Sequence, residues 1–261
     1  MSHKYSAFDK RMKKYEFVTR NYLTTRTPVI LRLDGKTFHT FTRGFKRPFD
    51  TILADTMQET MRYLCKNIQG CVLGYTQSDE ITLVLVDYKD IDTCAWFDYN
   101  IQKCVSVAAS MATLAFNDIF ANKVYSLEDN TIEELKYIDT LKVAVAKGAM
   151  FDARIFNIPK EEVCNNILWR QQDATHNSIQ MVGRAYFSDK QMYKKNTSEI
   201  QDMLMAEKGI NWNDFPARFK RGSCCIRRVN EQTGRSEWII DNEIPIFKAE
   251  GRKYIEDLVY V

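Results

Sequence analysis

The chain opens on a charged, aromatic stretch and then breaks into apolar runs of strand and helix length. Residues 4 to 26 set Lys4, Lys10, Arg11, Lys13, Lys14, Arg20 and Arg26 among Phe8, Tyr15, Phe17 and Tyr22, which predicts one amphipathic helix with a basic face. Pro28 to Asp34 is a first strand, and Gly35 to Phe41 a loop or short turn. Asp50 stands as the N-cap of a helix. Its apolar positions Leu53, Met57, Met61, Leu64 and Ile68 recur at helical spacing, with Gly70 closing it. Cys71 to Val86 reads as a hairpin, with the polar Gln77-Ser78-Asp79-Glu80 between two apolar runs. A second long helix is expected from Asp92 to Ala121, its apolar face made of Phe97, Ile101, Cys104, Val105, Ala108, Met111, Ala112 and Ala115. Residues 122 to 140 show no clear period. Phe151 to Phe156 is another strand, ended by Pro159. A third helix, with a polar centre from Trp169 to Ile179, occupies 160 to 187. The segment 188 to 230 reads as basic and irregular. Alternation returns at Trp238-Ile239-Ile240 and Ile244-Pro245-Ile246-Phe247, with a closing Tyr254-Ile255 and Leu258-Val259.

The order strand, helix, strand, strand, helix, strand is the split βαβ arrangement of ferredoxin-like folds. The expected class is α+β, an antiparallel sheet with long helices on one face and a C-terminal helical and β extension. In that topology the first strand lies beside the hairpin, so Asp34 and Asp79 approach each other although they are far apart in sequence.

Composition narrows the field. With 261 residues, 45% of them apolar, the chain can bury a full core as one large domain or two modest ones. A net charge of +3 admits a nucleic-acid partner only where the basic residues cluster. None of the seven cysteines has Cys-x-x-Cys spacing, so reduced core thiols are expected rather than a zinc site or a disulfide framework. No signal-like apolar stretch opens the chain and no run appears long enough to span a bilayer. A soluble, cytoplasmic protein with no membrane partner is the expectation. There is no P-loop, Gly-x-Gly-x-x-Gly, His-Glu-x-x-His or Gly-x-Ser-x-Gly.

The chemistry lies at the strand ends. Magnesium takes hard oxygen ligands, usually one or two carboxylates plus substrate phosphates. Two such ions about 3.5–4 Å apart clamp the attacking and leaving oxygens of a phosphoryl displacement. Asp34 and Asp79 offer the carboxylates and the Gly35 carbonyl a further oxygen. Glu80 follows Asp79 directly, and successive strand residues face opposite ways. It therefore should not share a metal with Asp79 unless the turn bends, and it is free to hold a basic residue instead. The loop Gly35-Lys36-Thr37-Phe38-His39 offers consecutive amides of the kind that cradle a triphosphate, with Lys36, Lys46 and Arg47 to neutralise it. Phe38 is alternatively a core anchor and His39 a structural histidine. Taken singly, Asp34-Gly35 is an ordinary turn and Ser78-Asp79-Glu80 a solvated hairpin tip. Their shared placement at one end of neighbouring strands is what favours chemistry.

Five motifs occur in order: Arg32 to His39 with Phe41; Lys46-Arg47-Pro48-Phe49-Asp50; Gly74-Tyr75 with Gln77-Ser78-Asp79-Glu80; Trp169-Arg170-Gln171 with Asp173; and Phe219-Lys220-Arg221-Gly222-Ser223. The set resembles the tRNA(His) guanylyltransferase family from about residue 5 to about residue 230. The resemblance implies a polymerase-palm fold, with residues 1–159 as the catalytic core and 160–261 completing the same domain. It implies two magnesium ions and addition of nucleotides to a tRNA 5′ end in the 3′-to-5′ direction. A 5′-monophosphate would be activated by ATP and then attacked by the 3′-hydroxyl of GTP or another nucleoside triphosphate. Carried over by position, Asp34, Gly35 and Asp79 hold metal, and Asp34, Asp79 and Glu80 are catalytic. Asp34, Gly35, Lys36, Thr37, Phe38, His39, Ser78 and Asp79 bind nucleotide, joined by Arg47. A homotetramer is also implied.

One departure bears on substrate. Where eukaryotic members carry His-Ile-Asn-Asn, this chain reads Thr175-His176-Asn177-Ser178. That is more similar to the guanylyltransferase-like proteins of bacteria, archaea and phages, which implies template-dependent repair of truncated tRNA. The alternatives are addition of a single guanosine to tRNA(His), a nucleotide cyclase, for which the Gly-Gly-Asp/Glu-Glu-Phe signature is missing, and a non-catalytic RNA-binding module using the basic segments 4–26 and 190–228.

Overall fold

The computed structural model describes residues 6–128, 131–229 and 233–260; Lys4 and Tyr5 of the expected first helix lie outside it. That helix, α1 (Ala7–Val18), is closed at its start by a reciprocal capping box between Ser6 and Asp9. It buries no residue, so it stands off the body rather than packing on it. β1 (Val29–Gly35) follows, then the single turn α2 (Phe38–Phe41). α3 (Thr51–Asn67) starts where expected, with the Asp50 side chain accepting from the Leu53 amide. Its C-cap is Ile68, and Gly70 sits beyond it in the turn to β2.

β2 (Cys71–Gln77) and β3 (Glu80–Leu85) form the hairpin, joined by Ser78 and Asp79 alone. α4 (Ile101–Tyr125) begins later than its periodicity suggests. Phe97, Asp98 and Tyr99 are left-handed and form a tight turn before it, which removes Phe97 from the helix. Of the aperiodic stretch, residues 122–125 end α4 and 132–140 open α5 (Ile132–Lys147), which also takes Leu141 to Val145; β4 (Phe151–Asn157) ends the core motif. α4 is long and apolar enough, by length and composition, to cross a bilayer. In the fold Cys104, Ala108, Ala112, Phe116 and Phe120 are buried in the main core, which makes it the core helix of the sheet.

α6 (Lys160–Tyr186) matches the expected third helix. The segment read as irregular is instead ordered into α7 (Asp189–Met192), α8 (Thr197–Lys208), α9 (Ala217–Arg221) and β5 (Ser223–Val229). β6 (Ser236–Asp241) takes up Trp238-Ile239-Ile240. Ile244 to Phe247 forms no strand, and the closing apolar pairs lie on α10 (Lys253–Val259), where Ile255 and Val259 are buried.

The six strands order as β4-β1-β3-β2-β5-β6, antiparallel throughout. The first four are the expected split βαβ sheet, and β5 and β6 extend it past β2. Odd positions of β1 (Val29, Leu31, Leu33) join α3 and α4 in the main core; Ile30 and Val84 face α6 and α10 in a second. The far half of α6 packs on α8 through Ile179, Val182, Ile200 and Leu204.

Candidate active site

The strand ends meet as the sequence pattern requires. Asp34 is the register partner of Glu80 on β3 and of Asp152 on β4, so three carboxylates stand in one row on the α6 face. The Gly35 amide donates to the Asp79 carbonyl at 3.1 Å, which ties the β1 tip to the hairpin turn. Ser78 takes the left-handed conformation there (φ 49°), and its hydroxyl donates to Asp79 Oδ1 at 3.1 Å. Burial, and then the nearby Asp34 charge, push the Asp79 carboxyl above its ordinary value.

Glu80 turns away, as the period of two demands. Its carboxylate is buried and accepts from Arg170 Nε and Nη2, both at 2.7 Å, a bidentate pair. Arg170 also donates to Asp173 Oδ2 at 3.0 Å, and Asp173 accepts from Asn177 Nδ2 at 3.2 Å. The Trp169-Arg170-Gln171 motif thus fastens α6 to the row of acids. Gln171 holds the other side of the helix, donating to the Pro245 carbonyl and accepting from the Phe247 amide.

A cleft of about 640 Å³ opens at the strand tips. Gly35, Thr37, Phe38, His39, Arg47, Ser78 and Asp79 line it, joined by Arg43, Lys46, Asp50, Met181 and Arg184. Thr37 is left-handed (φ 54°) and starts α2. The amides of Thr37, Phe38 and His39 donate to no protein acceptor among the described residues, so they form a nest for an anion. The Phe38 ring is buried against Phe41, Phe116 and Phe151, so its side chain is a core anchor. That ring fixes the glycine before it, since a Cβ on Gly35 would lie 2.2 Å from it. Lys36 does not line the cleft; its side chain is exposed and its amide donates to the Met150 carbonyl at 2.8 Å.

The far wall is held by the remaining motifs. Asp50 accepts from the Lys46 amide and from the Tyr137 hydroxyl at 2.6 Å. Phe49 stacks on Phe219 with centroids 4.8 Å apart, and Arg218 pairs with Asp55 at 2.7 Å. Gly222 is left-handed (φ 86°), and a Cβ there would lie 2.5 Å from the Thr76 carbonyl oxygen, so α9 reaches β2 only through a glycine. Sequence reading passed over Met181 and Arg184. The signal was available: Asp173, Asn177, Met181 and Arg184 step by four, four and three along one face of α6.

For a divalent cation the donor set is chemically apt. Burial and the neighbouring Asp34 charge raise the cost of ionising Asp79, and no cationic side chain pairs with either acid among the described residues. No group of three His, Cys, Asp or Glu side chains that could hold an ion is found among the described residues. Two carboxylates are what magnesium commonly takes from a protein, the rest of its shell being water and substrate oxygen.

A palm-like antiparallel sheet with paired acids at its strand tips, opening on an amide nest, defines a nucleotidyltransferase. The model of the Thg1 family, tRNA(His) guanylyltransferase, matches residues 9–159, and the chain belongs to that family. A bacterial tRNA(His) guanylyltransferase (Thg1)-like protein solved in complex with ATP is 43% identical, with a TM-score of 0.84 over 97% of this chain and 99% of that one. A structure described in the same words, in complex with GTP, is 39% identical with a TM-score of 0.81, covering 98% and 100%. The tRNA(His) guanylyltransferase of Schizosaccharomyces pombe is 28% identical, covering 87% of this chain and 81% of its own.

Proposed function

We propose that this protein is a magnesium-dependent nucleotidyltransferase that adds nucleotides in the 3′-to-5′ direction to the 5′ end of truncated tRNA, guided by the opposite strand. The observation that carries the reading is Asp79 lining the cleft with Thr37, Phe38 and His39, close enough to Asp34 to feel its charge, with no cationic partner for either acid among the described residues. Asp34, Asp79 and the Gly35 carbonyl would hold the metal. When bound, magnesium supplies a Lewis acid at the attacking and leaving oxygens. The amides of Thr37, Phe38 and His39 cradle phosphate, while Arg43, Arg47 and Arg184 balance its charge. Ser78 orients Asp79. Glu80 acts through Arg170, holding α6 against the acids, and is a positioning residue. The solved relatives hold ATP and GTP, the two nucleotides this reading requires for activation and addition.

The test is extension of a 5′-truncated, 5′-triphosphorylated tRNA with nucleotides and magnesium. Extension by the wild-type protein and none by Asp79→Ala is the expected result; extension that persists in Asp79→Ala defeats the assignment. A second reading, one guanosine added to tRNA(His), is favoured by the names of the curated relatives. Incorporation opposite C and opposite A separates the two. Pairing-dependent choice is repair; guanine at both is the second reading. Phe8, Tyr15, Phe17 and Val18 on α1 are largely exposed, which suits a chain that self-associates as a tetramer.

A further inference from the structure

One exposed aromatic side chain beside the acids has no place in the nucleotide cleft. Trp169, on α6, keeps 53% of its surface exposed although its neighbour Arg170 is buried. Arg32 of β1 stands over its ring at 5.8 Å and Arg170 at 4.6 Å. Arg32 is the register partner of Arg154 on β4, so two guanidiniums project from adjacent strands on one face. Like charges placed directly opposite destabilise a sheet. Arg154 is eased by Asp152 at 3.0 Å, whereas Arg32 has no ion pair among the described residues. Arg32 precedes Asp34 by two residues, one strand step of roughly 7 Å. None of Trp169, Arg32 and Arg154 lines the cleft. The acids therefore divide two surfaces: a cleft with an amide nest on one side, and a ledge of one indole and two guanidiniums on the other.

The ledge has the chemistry of a nucleotide with its base exposed. Any base stacks on an indole face, and a guanidinium pair takes phosphate. Nucleotidyl transfer brings two substrates to one pair of acids, and the cleft accounts for one of them. We propose that Trp169, with Arg32 and Arg154, is the platform on which the RNA's 5′-terminal base stacks while its phosphate reaches Asp34 and Asp79. This rests on the function proposed above. Trp169 is a positioning residue, since it touches the substrate remote from the reacting atoms.

The test uses the full chain and a truncated tRNA with 2-aminopurine at its 5′ terminus. Wild-type protein and Trp169→Phe are expected to quench its emission. Trp169→Ala should leave it bright and raise KM for RNA about tenfold, with Kd for GTP, titrated without RNA, unchanged. Arg154→Ala should raise KM for RNA and make it less sensitive to salt. Full quenching and an unchanged KM in Trp169→Ala overturn the platform while the function stands. A loss of GTP binding equal to the loss for RNA overturns it as well, by making the change a general one. A wild-type protein that extends no RNA overturns the function, and the platform with it.

Discussion

Asp79 sits where its own charge is costly. A carboxyl whose folded pKa is raised holds its proton more tightly in the folded than in the unfolded chain. The stability it contributes is present at low pH and is lost as pH rises through that folded pKa. Near neutrality the ionised form is a burden that a bound divalent cation would offset. Asp79→Asn should therefore melt higher than wild type in chelator, at about 2–4 °C per kcal/mol recovered. Magnesium should raise the melting point of wild type and leave Asp79→Asn unmoved; equal shifts in both would remove Asp79 from the metal site. Glu80 and Arg170 behave differently, being buried and mutually satisfied. Arg170→Ala strands a buried carboxylate and should cost about 3–5 kcal/mol in urea unfolding. The double change Glu80→Leu with Arg170→Leu should recover most of that while leaving activity lost. That Glu80 would turn from Asp79 was legible from the strand period alone. Its partner was not, because Arg170 meets it only through the tertiary fold.

At the scale of elements, what was legible followed one rule. β1 and the hairpin are buried on both faces and read as continuous apolar runs, while α3 and α6 bury one face each, and their patterns show it. α5 buries only Ile138, Leu141 and Ala144, and α8 only Ile200 and Leu204, stripes too thin to stand out among charges. The final pairs Tyr254-Ile255 and Leu258-Val259 recur at four, the period of α10, but two short pairs do not distinguish a helix from a strand. The cleft was legible as a cluster of loop residues, but Arg184 lies near the end of a helix, far along the chain from those loops, and reaches the cleft only through the tertiary fold. α1 shows the reverse case, a pattern without a partner. With no buried residue it should contribute little to one protomer, so deleting residues 1–18 should move the thermal midpoint by less than about 2 °C. A larger fall, dependent on protein concentration, would mean that α1 is covered by a second copy.

For the whole molecule, the sheet does not stop where the split βαβ motif does. β5 pairs with β2, and Ile226, Phe247 and Ile255 complete the core beneath Tyr75. A fragment ending at residue 159 would expose both the β2 edge and that apolar face. It should fail to give a cooperative melt, and a sharp transition in the fragment would show residues 160–261 to be a separate unit. The helix that closes this second face, α6, has one more consequence. Its 27 residues span about 40 Å, and it carries Trp169 near one end of the site and Arg184 near the other. Those two are held about 22 Å apart by helical rise alone. A single rigid rod therefore acts as a gauge between the two substrates. Inserting one alanine directly after Asn177 would turn everything beyond it by about 100°. That turn would carry Met181 and Arg184 off the cleft wall and Ile179 and Val182 off α8, so binding of GTP and the thermal midpoint should both fall, whereas Trp169, before the insertion, should still quench a 2-aminopurine RNA end.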